Sequence, residues 1–427
     1  MPDASPSHPL DSRARRTLRT TVALVVLALL ARCAYLLVFQ PDVADWPDGR
    51  HNEQIGWRLA SEGRYDDPAD NPPAIYRPPL LPLTIAAVYE LFGREPRAVQ
   101  FTLALFGALG VGLLHRAALR LMSSRAALIA GAAAAAYPYF VFVCGTFYPE
   151  ALGVPLMALV ALLFLANCQS ERMRVGSMLS LGLAVGLGAL CRPNWLVSLW
   201  LLVPLVYVTR WLAGRPRAIV PMAAALLVWV GVWSPWTVRN WRAYGKPILI
   251  TASGGKNLYL GNKPDATWSS KTGVKITAED LVAEARWHND PPRLEKYYYT
   301  RALEHIRRDP ARVAWLWLGK FAHLWQPVPS IKSQNVAAAK VAAAAIPYAC
   351  VALLAVIGFL RAAASRRWEL VALLALLLID AAVISFFITP ARLRIPFDVV
   401  LLLAAGFALS PHAVAASAAS RPGADSG

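Results

Sequence analysis

Apolar runs long enough to cross a lipid bilayer recur along this chain, and they set its solvent before any motif is read. VALVVLALLARCAYLLVF (residues 22–39), ALGVPLMALVALLFLANC (151–168) and ELVALLALLLIDAAVISFFI (369–388) are three of them, and a span needs roughly 20 mostly apolar residues. Backbone polar groups have no water to bond in hydrocarbon, so such runs fold as helices. Of the 427 residues 57% are hydrophobic and 16% charged, against about 45–50% and about 25% in soluble domains. The expected fold class is therefore an all-α polytopic membrane protein. The formal net charge is +17, which could point to nucleic acid. Its arginines, however, gather in short loops between apolar runs, the pattern that sets orientation in a membrane, and nucleic acid is excluded. Cys33, Cys144, Cys168, Cys191 and Cys350 lie in or beside apolar segments without paired spacing. They read as small core residues, neither a disulfide framework nor a metal site.

In chain order, residues 1–19 read as a disordered cytoplasmic tail and 20–40 as the first span, carrying Arg32 either snorkelled or facing a polar cavity. A first outer loop, 41–95, ends in LLPLTIAAVYELFG, which is too short to cross comfortably and reads as an interfacial helix. If that helix stays on one side, the loops at Arg116–Arg125, Arg172–Arg174, Arg210–Arg217 and Arg361–Arg367 all face the cytoplasm with the N-terminus; if it crossed, they would all face outside. Nine further spans are expected at about 98–119, 126–143, 150–168, 176–193, 195–211, 218–238, 340–360, 369–389 and 396–412. That makes ten, with both termini inside. The domain reading is an N-terminal bundle over 20–238, an outer loop module over 239–339, C-terminal helices over 340–412 and a disordered cytoplasmic tail over 413–427. Within the module, PILITAS and NLYLG read as strand-like pieces joined by Gly254-Gly255, followed by a polar helical stretch near Ala278–Arg308 and an aromatic-rich segment, ARVAWLWLGKFAHLWQP, at the membrane surface. No internal repeat is visible.

The stretch from Asp42 to Pro82 carries most of the chemistry. It is dense in carboxylates (Asp42, Asp45, Asp48, Glu53, Glu62, Asp66, Asp67, Asp70), adds His51, Tyr65 and Tyr76, and returns through Arg77-Pro78-Pro79. By composition alone it is a solvated loop as readily as a site. With the expected topology the outer face also gathers Glu150 and four arginines at span ends, Arg192, Arg239, Arg392 and Arg394, together with Tyr148, Asn194, Asn240 and Lys256. Outer arginines run against the positive-inside bias, and a planar guanidinium suits phosphate oxygens. An acid beside a lipid phosphate fits glycosyl or phosphoryl transfer. The carboxylate takes a proton from the attacking group, and the cations stabilise the departing phosphate. A second acid, Glu150, could instead join Asp48 in holding a divalent metal such as Mg or Mn.

DGRHNEQIGWRLASEGRY followed by YRPPLLPLTIAAVYELFG resembles the first periplasmic loop of the ArnT-like and protein-mannosyltransferase (glycosyltransferase 39) family. SPWTVRNWRAYGKPILITASGGKNLYLGNKP (Ser234–Pro264) is similar to the family's Pro-Trp-x-x-Arg-Asn segment, and ALCRPNW and ARLRIPF add weaker matches. The resemblance implies a GT-C bundle with interfacial helices in its first outer loop, sited in the cell inner membrane with a periplasmic active site. It implies a polyprenyl-phosphate-dependent transfer of a hexosyl or pentosyl group to a lipid or glycan acceptor, with inversion. It further implies Asp48 as catalytic or metal-binding acid, Glu150 as second acid, and Arg239, Arg192 and Arg392 or Arg394 near the lipid phosphate. His51, Glu53, Tyr76, Arg77, Tyr148, Asn240, Lys256, Asn257 and Tyr259 would line the substrate pocket. Two positions depart from the pattern. Asn52 stands where an aromatic is usual and Gly49 directly follows the aspartate, so Asp45 or Glu53 could hold the role given to Asp48. A flippase for lipid-linked sugars, and an inactive partner of the same fold, are the alternatives.

Overall fold

The computed structural model describes residues 9–67, 70–268, 276–327 and 338–411. The tail expected at 413–427 lies outside them. In chain order the helices are α1 (Pro9–Phe39), α2 (Pro47–Glu62), α3 (Leu80–Phe92), α4 (Pro96–Ala118), α5 (Ser124–Ala136), α6 (Pro138–Phe142), α7 (Glu150–Gln169), α8 (Val175–Cys191), α9 (Trp195–Ser198), α10 (Leu202–Leu212), α11 (Ile219–Tyr244), α12 (Gly254–Asn262), α13 (Ala278–Arg286), α14 (Pro291–Arg308), α15 (Pro310–Leu324), α16 (Ala338–Ala364), α17 (Trp368–Ile384) and α18 (Asp398–Ala408). A short antiparallel pair, β1 (Asp66–Asp67) and β2 (Asp70–Pro73), lies between α2 and α3.

Each expected span coincides with helix, but the count of ten is not reproduced by length. Among the described residues six helices are long and apolar enough to cross a membrane, or seven if α5 and the segment Pro138–Gly145 form one bent span. That pair bends by 46° where Pro138 follows Tyr137, because proline disfavours helical backbone in the residue before it. α1 starts at Pro9, so part of the expected N-terminal tail is helical. α4, α7 and α18 share the main apolar core with α1, α5, α8, α16 and α17. α3, 13 residues long, spans about 20 Å at 1.5 Å per residue. It leaves Leu91 and Phe92 exposed.

The first loop is built by strong local signals. Trp46 is extended before α2, Pro47 occupies its first turn and Asp48 follows, which sets a carboxylate at the positive end of the helix dipole. α2 ends at Gly63, whose φ of 67° is left-handed and whose N–H bonds to Leu59 O, the usual glycine stop. α2 then packs on α3 through Glu53. This buried carboxylate accepts from Arg94 Nε at 3.0 Å and Nη2 at 3.1 Å, and from the Tyr89 hydroxyl at 3.1 Å.

The segment expected as an outer module, 239–339, differs from that expectation. PILITAS is irregular, and Gly254-Gly255 opens a helix, α12, where a strand was expected. The glycines let α14 approach: Gly255 N–H donates to Glu295 Oε1 at 2.9 Å, and a Cβ at Gly255 would lie 2.6 Å from the Glu295 carbonyl oxygen. Tyr259, Ala283, Leu294, Tyr298 and Ala302 form the small core of this module. The polar stretch splits into α13 and α14, the latter opened by Asp290 as cap and Pro291 in the first turn.

Candidate functional site

Four segments far apart in sequence meet around Asp48: the start of α2, the return at Arg77, the turn 143–149 before α7, and the 3-10 segment Ala391–Phe397 before α18. Asp48 Oδ1 accepts from Arg77 Nη2 at 2.8 Å, and Oδ2 is ion-paired with Arg392 Nη2. Arg77 also turns its Nε toward His51 Nδ1, 3.0 Å away, a pairing that makes that ring nitrogen the acceptor. The Arg392 guanidinium lies over the Tyr148 ring, 3.9 Å from its centroid, and Trp46 packs edge-on against the same ring. Side chains of Asp48, Arg77 and Arg392 are 32%, 26% and 29% exposed, so the cluster is open to a ligand from solution or the bilayer surface.

Burial alone would raise the Asp48 pKa, but the charges of Arg77 and Arg392 outweigh it and hold this carboxyl well below the usual carboxylate range. Burial alone would lower the Arg392 guanidinium, but the nearby negative charges of Glu150 and then Asp48 raise it above its ordinary value. The resting cluster is therefore a charged carboxylate clamped between two fixed cations.

Close packing on the 143–149 turn involves both Gly49 and Asn52. A Cβ at Gly49 would overlap the Thr146 carbonyl oxygen, so only glycine lets α2 approach there. Asn52, buried, donates from Nδ2 to Phe147 O at 3.1 Å. Phe147 itself sits at φ 50°, a left-handed conformation that costs of order 1–3 kcal/mol in a non-glycine residue. It directs Tyr148 toward Arg392.

Glu150 opens α7 beside this cluster and is buried. Its nearest charged partner is Arg192, with Nη1 3.9 Å from Oε1. Arg192 donates to Leu393 O at 3.0 Å and lies over Trp195. Glu150 Oε2 and Arg192 Nη2 are both buried without a hydrogen-bond partner, an acceptor and a donor left unmatched at the floor of the site.

Other expected site residues are placed elsewhere. Arg394, two positions from Arg392 on a tight 3-10 turn, points inward. It bonds to Asp398 at 3.1 Å, to Leu324 O at 2.7 Å and to Gln326 O at 3.1 Å, and lies over Tyr348. Its donors serve packing, so of the two arginines it is Arg392 that the fold brings to Asp48. Asn240 is buried and donates to Ile248 O and Ile250 O at 3.0 and 3.1 Å. Arg239 donates to Ala74 O and Tyr65 O. Lys256 pairs with Glu284 at 2.6 Å, and Tyr259 donates to Asp280 at 3.1 Å in the small helical cluster α12–α14, with Asn257 exposed on the same helix. Tyr76 is half-buried beside Arg77 and Asp45 is exposed. Within the bundle Asp380 accepts from Asn194 at 2.9 Å and Ser198 at 2.6 Å. Arg32 is buried and donates to Ala28 O at 2.9 Å, so it does not snorkel.

A divalent metal shared by Asp48 and Glu150 does not fit the arrangement. Each Asp48 oxygen already faces a guanidinium, two cations that would repel the ion. Among the described residues no group of three His, Cys, Asp or Glu side chains is placed to hold one.

Comparison with known proteins follows the same lines. No curated protein sequence matches the chain. The fold is shared with the oligosaccharyltransferase AglB from Archaeoglobus fulgidus, solved with an inhibitory peptide and a dolichol-phosphate. That match has a TM-score of 0.54 and 15% identity, covering 91% of this chain and 50% of that one. The apo form of the oligosaccharyltransferase from the same organism gives 0.53 and 16% over the same shares. This chain thus spans about half the length of those archaeal enzymes. ArnT from Cupriavidus metallidurans, bound to undecaprenyl phosphate, matches at 18% identity and a TM-score of 0.43 over 91% of this chain and 77% of its own. Residues 76–237 match the family described as dolichyl-phosphate-mannose-protein mannosyltransferase, a stretch that includes Arg77, Tyr148, Glu150 and Arg192 and stops short of Asp48 and Arg392. The resemblance read from the sequence is borne out: this is a multi-helix membrane protein of GT-C fold, similar over residues 76–237 to the dolichyl-phosphate-mannose-protein mannosyltransferases.

Proposed function

We propose that the chain is a membrane glycosyltransferase that moves a sugar from a polyprenyl-phosphate donor to a lipid or glycan acceptor of the cell envelope, at the periplasmic face of the inner membrane. The observation that carries this reading is Asp48 set between Arg77 and Arg392, a carboxylate and two phosphate-sized cations on one accessible surface. The donor phosphate engages the Arg77 and Arg392 guanidiniums, each of which offers planar N–H pairs to its oxygens. This releases Asp48 from its clamp and lifts its proton affinity toward that of a working base. The acceptor hydroxyl or amine then attacks the anomeric carbon from the face opposite the phosphate. Its proton passes to Asp48, the bond from the anomeric carbon to phosphate oxygen breaks, and polyprenyl phosphate leaves with its charge held by the two arginines. One displacement gives inversion. A phosphate needs no second acid to protonate it, unlike the leaving alcohol in glycoside hydrolysis. Glu150, with its unmatched oxygen beside Arg192, orients the acceptor or the sugar. The loop 41–95 and the module 239–339 would then form the outer face, with both termini in the cytoplasm.

The test is donor turnover by the purified chain given a mixed pool of polyprenyl-phosphate sugars. Wild type should release polyprenyl phosphate, while Asp48→Asn and Glu150→Gln should lose release and remain folded. Release that persists in Asp48→Asn and disappears in Asp45→Asn would move the base. No release from any donor, with lipid-linked sugar crossing reconstituted vesicles, would replace the transferase by a flippase.

A further inference from the structure

Arg239 stands at the end of α11 and serves the first loop rather than an open surface. Its Nη1 donates to Ala74 O at 2.9 Å and its Nη2 to Tyr65 O at 3.0 Å. Those two residues flank the β1–β2 pair, and Ala74 N–H closes the same point by donating to Tyr65 O at 2.9 Å. One guanidinium fork therefore ties together both chains of the excursion at its base. The fork is itself fixed: the Tyr65 and Trp236 rings lie 5.2 and 4.9 Å from it and meet each other edge to face at 4.7 Å. Arg77 is three residues beyond Ala74, and its carbonyl oxygen accepts from the Tyr65 hydroxyl at 3.2 Å. Ile75 O accepts from Ala252 N–H at 3.0 Å. The segment around Ala252 is in turn held by Trp236 Nε1 on Ile250 O at 3.0 Å and by Asn240.

We propose that Arg239 is a positioning residue. It sets the place at which Arg77 meets Asp48, through the Tyr65 and Ala74 carbonyls, and does not itself hold the lipid phosphate. The sense in which this serves a reaction rests on the transferase reading; the placement of Arg77 does not. Only arginine can do it, because a lysine ammonium lacks the planar fork that reaches two carbonyls while packed against both rings.

The first measurement is the rate at which phenylglyoxal, an arginine reagent, modifies Arg77 in the full-length protein in detergent, read by peptide mass spectrometry. Asp48 and the fixed loop shield Arg77 in wild type. Arg239→Gln and Arg239→Lys should raise its rate at least about threefold, and Tyr65→Phe, which removes only the hydroxyl on Arg77 O, should raise it in the same direction. Rates unchanged in Arg239→Gln and Tyr65→Phe overturn the proposal. The second measurement is a double-mutant cycle on kcat/KM for the donor, which isolates coupling between two residues. If Arg239 acts through Arg77, Arg77→Ala/Arg239→Gln is no worse than Arg77→Ala alone within about twofold. Losses that multiply, or a lysine that restores wild-type behaviour, would make Arg239 a direct contact to the donor. If wild type turns over no donor, the transferase reading falls while the modification rates still decide Arg239.

Discussion

Replacing Asp48 by asparagine should do two opposite things. In the resting protein the Asp48 carboxylate engages the same guanidiniums that the donor phosphate would use. The three side chains are about a quarter to a third exposed. A charge-assisted hydrogen bond is worth about 1.5–3 kcal/mol when shielded and an exposed ion pair about 0–1, so each contact here contributes about 0.5–1 kcal/mol. A phosphate must displace both, which withholds about 1–2 kcal/mol from its binding. A neutral amide of the same shape removes that competition and keeps the arginines in place. Asp48→Asn should therefore bind polyprenyl phosphate about 5–30-fold more tightly, at 1.4 kcal/mol per factor of ten. Turnover should fall by about 10²–10⁴, the usual scale of a lost general base. Equilibrium binding of polyprenyl phosphate to wild type and variant in the same detergent, at one fixed salt concentration, reads the first effect, and donor turnover reads the second. Weaker binding in Asp48→Asn would mean that the carboxylate helps hold the ligand, and the exchange of carboxylate for phosphate would be refuted.

Further expectations follow from the same geometry. A carboxyl whose folded pKa lies below its unfolded value adds stability that is present above the unfolded pKa, and this is lost as pH falls through the folded one. For Asp48 that loss lies below about pH 4, so the difference in thermal midpoint between wild type and Asp48→Asn should be constant from about pH 8 to 5. A difference that shrinks by about pH 6 would contradict the double arginine clamp. Glu53→Gln should lower stability by about 1–3 kcal/mol, since it breaks a paired contact to Arg94, yet keep donor turnover; turnover lost with an unchanged thermal midpoint would make Glu53 the working acid. Gly49→Ala should push α2 off the Thr146 carbonyl and reduce turnover at least about tenfold, with a smaller change in donor binding. An alanine variant with wild-type kinetics would show that the fit of α2 on the 143–149 turn is not what places Asp48.

The solvent of this protein is written locally. Span-length apolar runs, the proline return at Arg77-Pro78-Pro79 and the short α3 are all visible in sequence, because helix formation in a bilayer depends on neighbours along the chain. So was an expected face carrying Asp48, Glu150, Arg192, Arg239, Arg392 and Arg394, of which the fold brings Arg392 to Asp48 and turns Arg239 and Arg394 to other partners. The roles of individual polar residues were not visible, because they depend on which carbonyls and rings arrive from elsewhere. Arg392 and Arg394 read alike, yet the turn of a 3-10 segment sends one to Asp48 and the other to Asp398, Leu324 O and Gln326 O. Glu53 looked as free as Asp48 until α3 and Arg94 closed on it. Gly254-Gly255 read as a strand junction and became the start of a helix, since only contact with α14 explains the pair. Sequence thus determined that this is a multi-helix membrane protein with an acidic, arginine-bordered loop region. Tertiary structure decided which acid meets which arginine, because a charge finds its partner by position in space and not by distance along the chain.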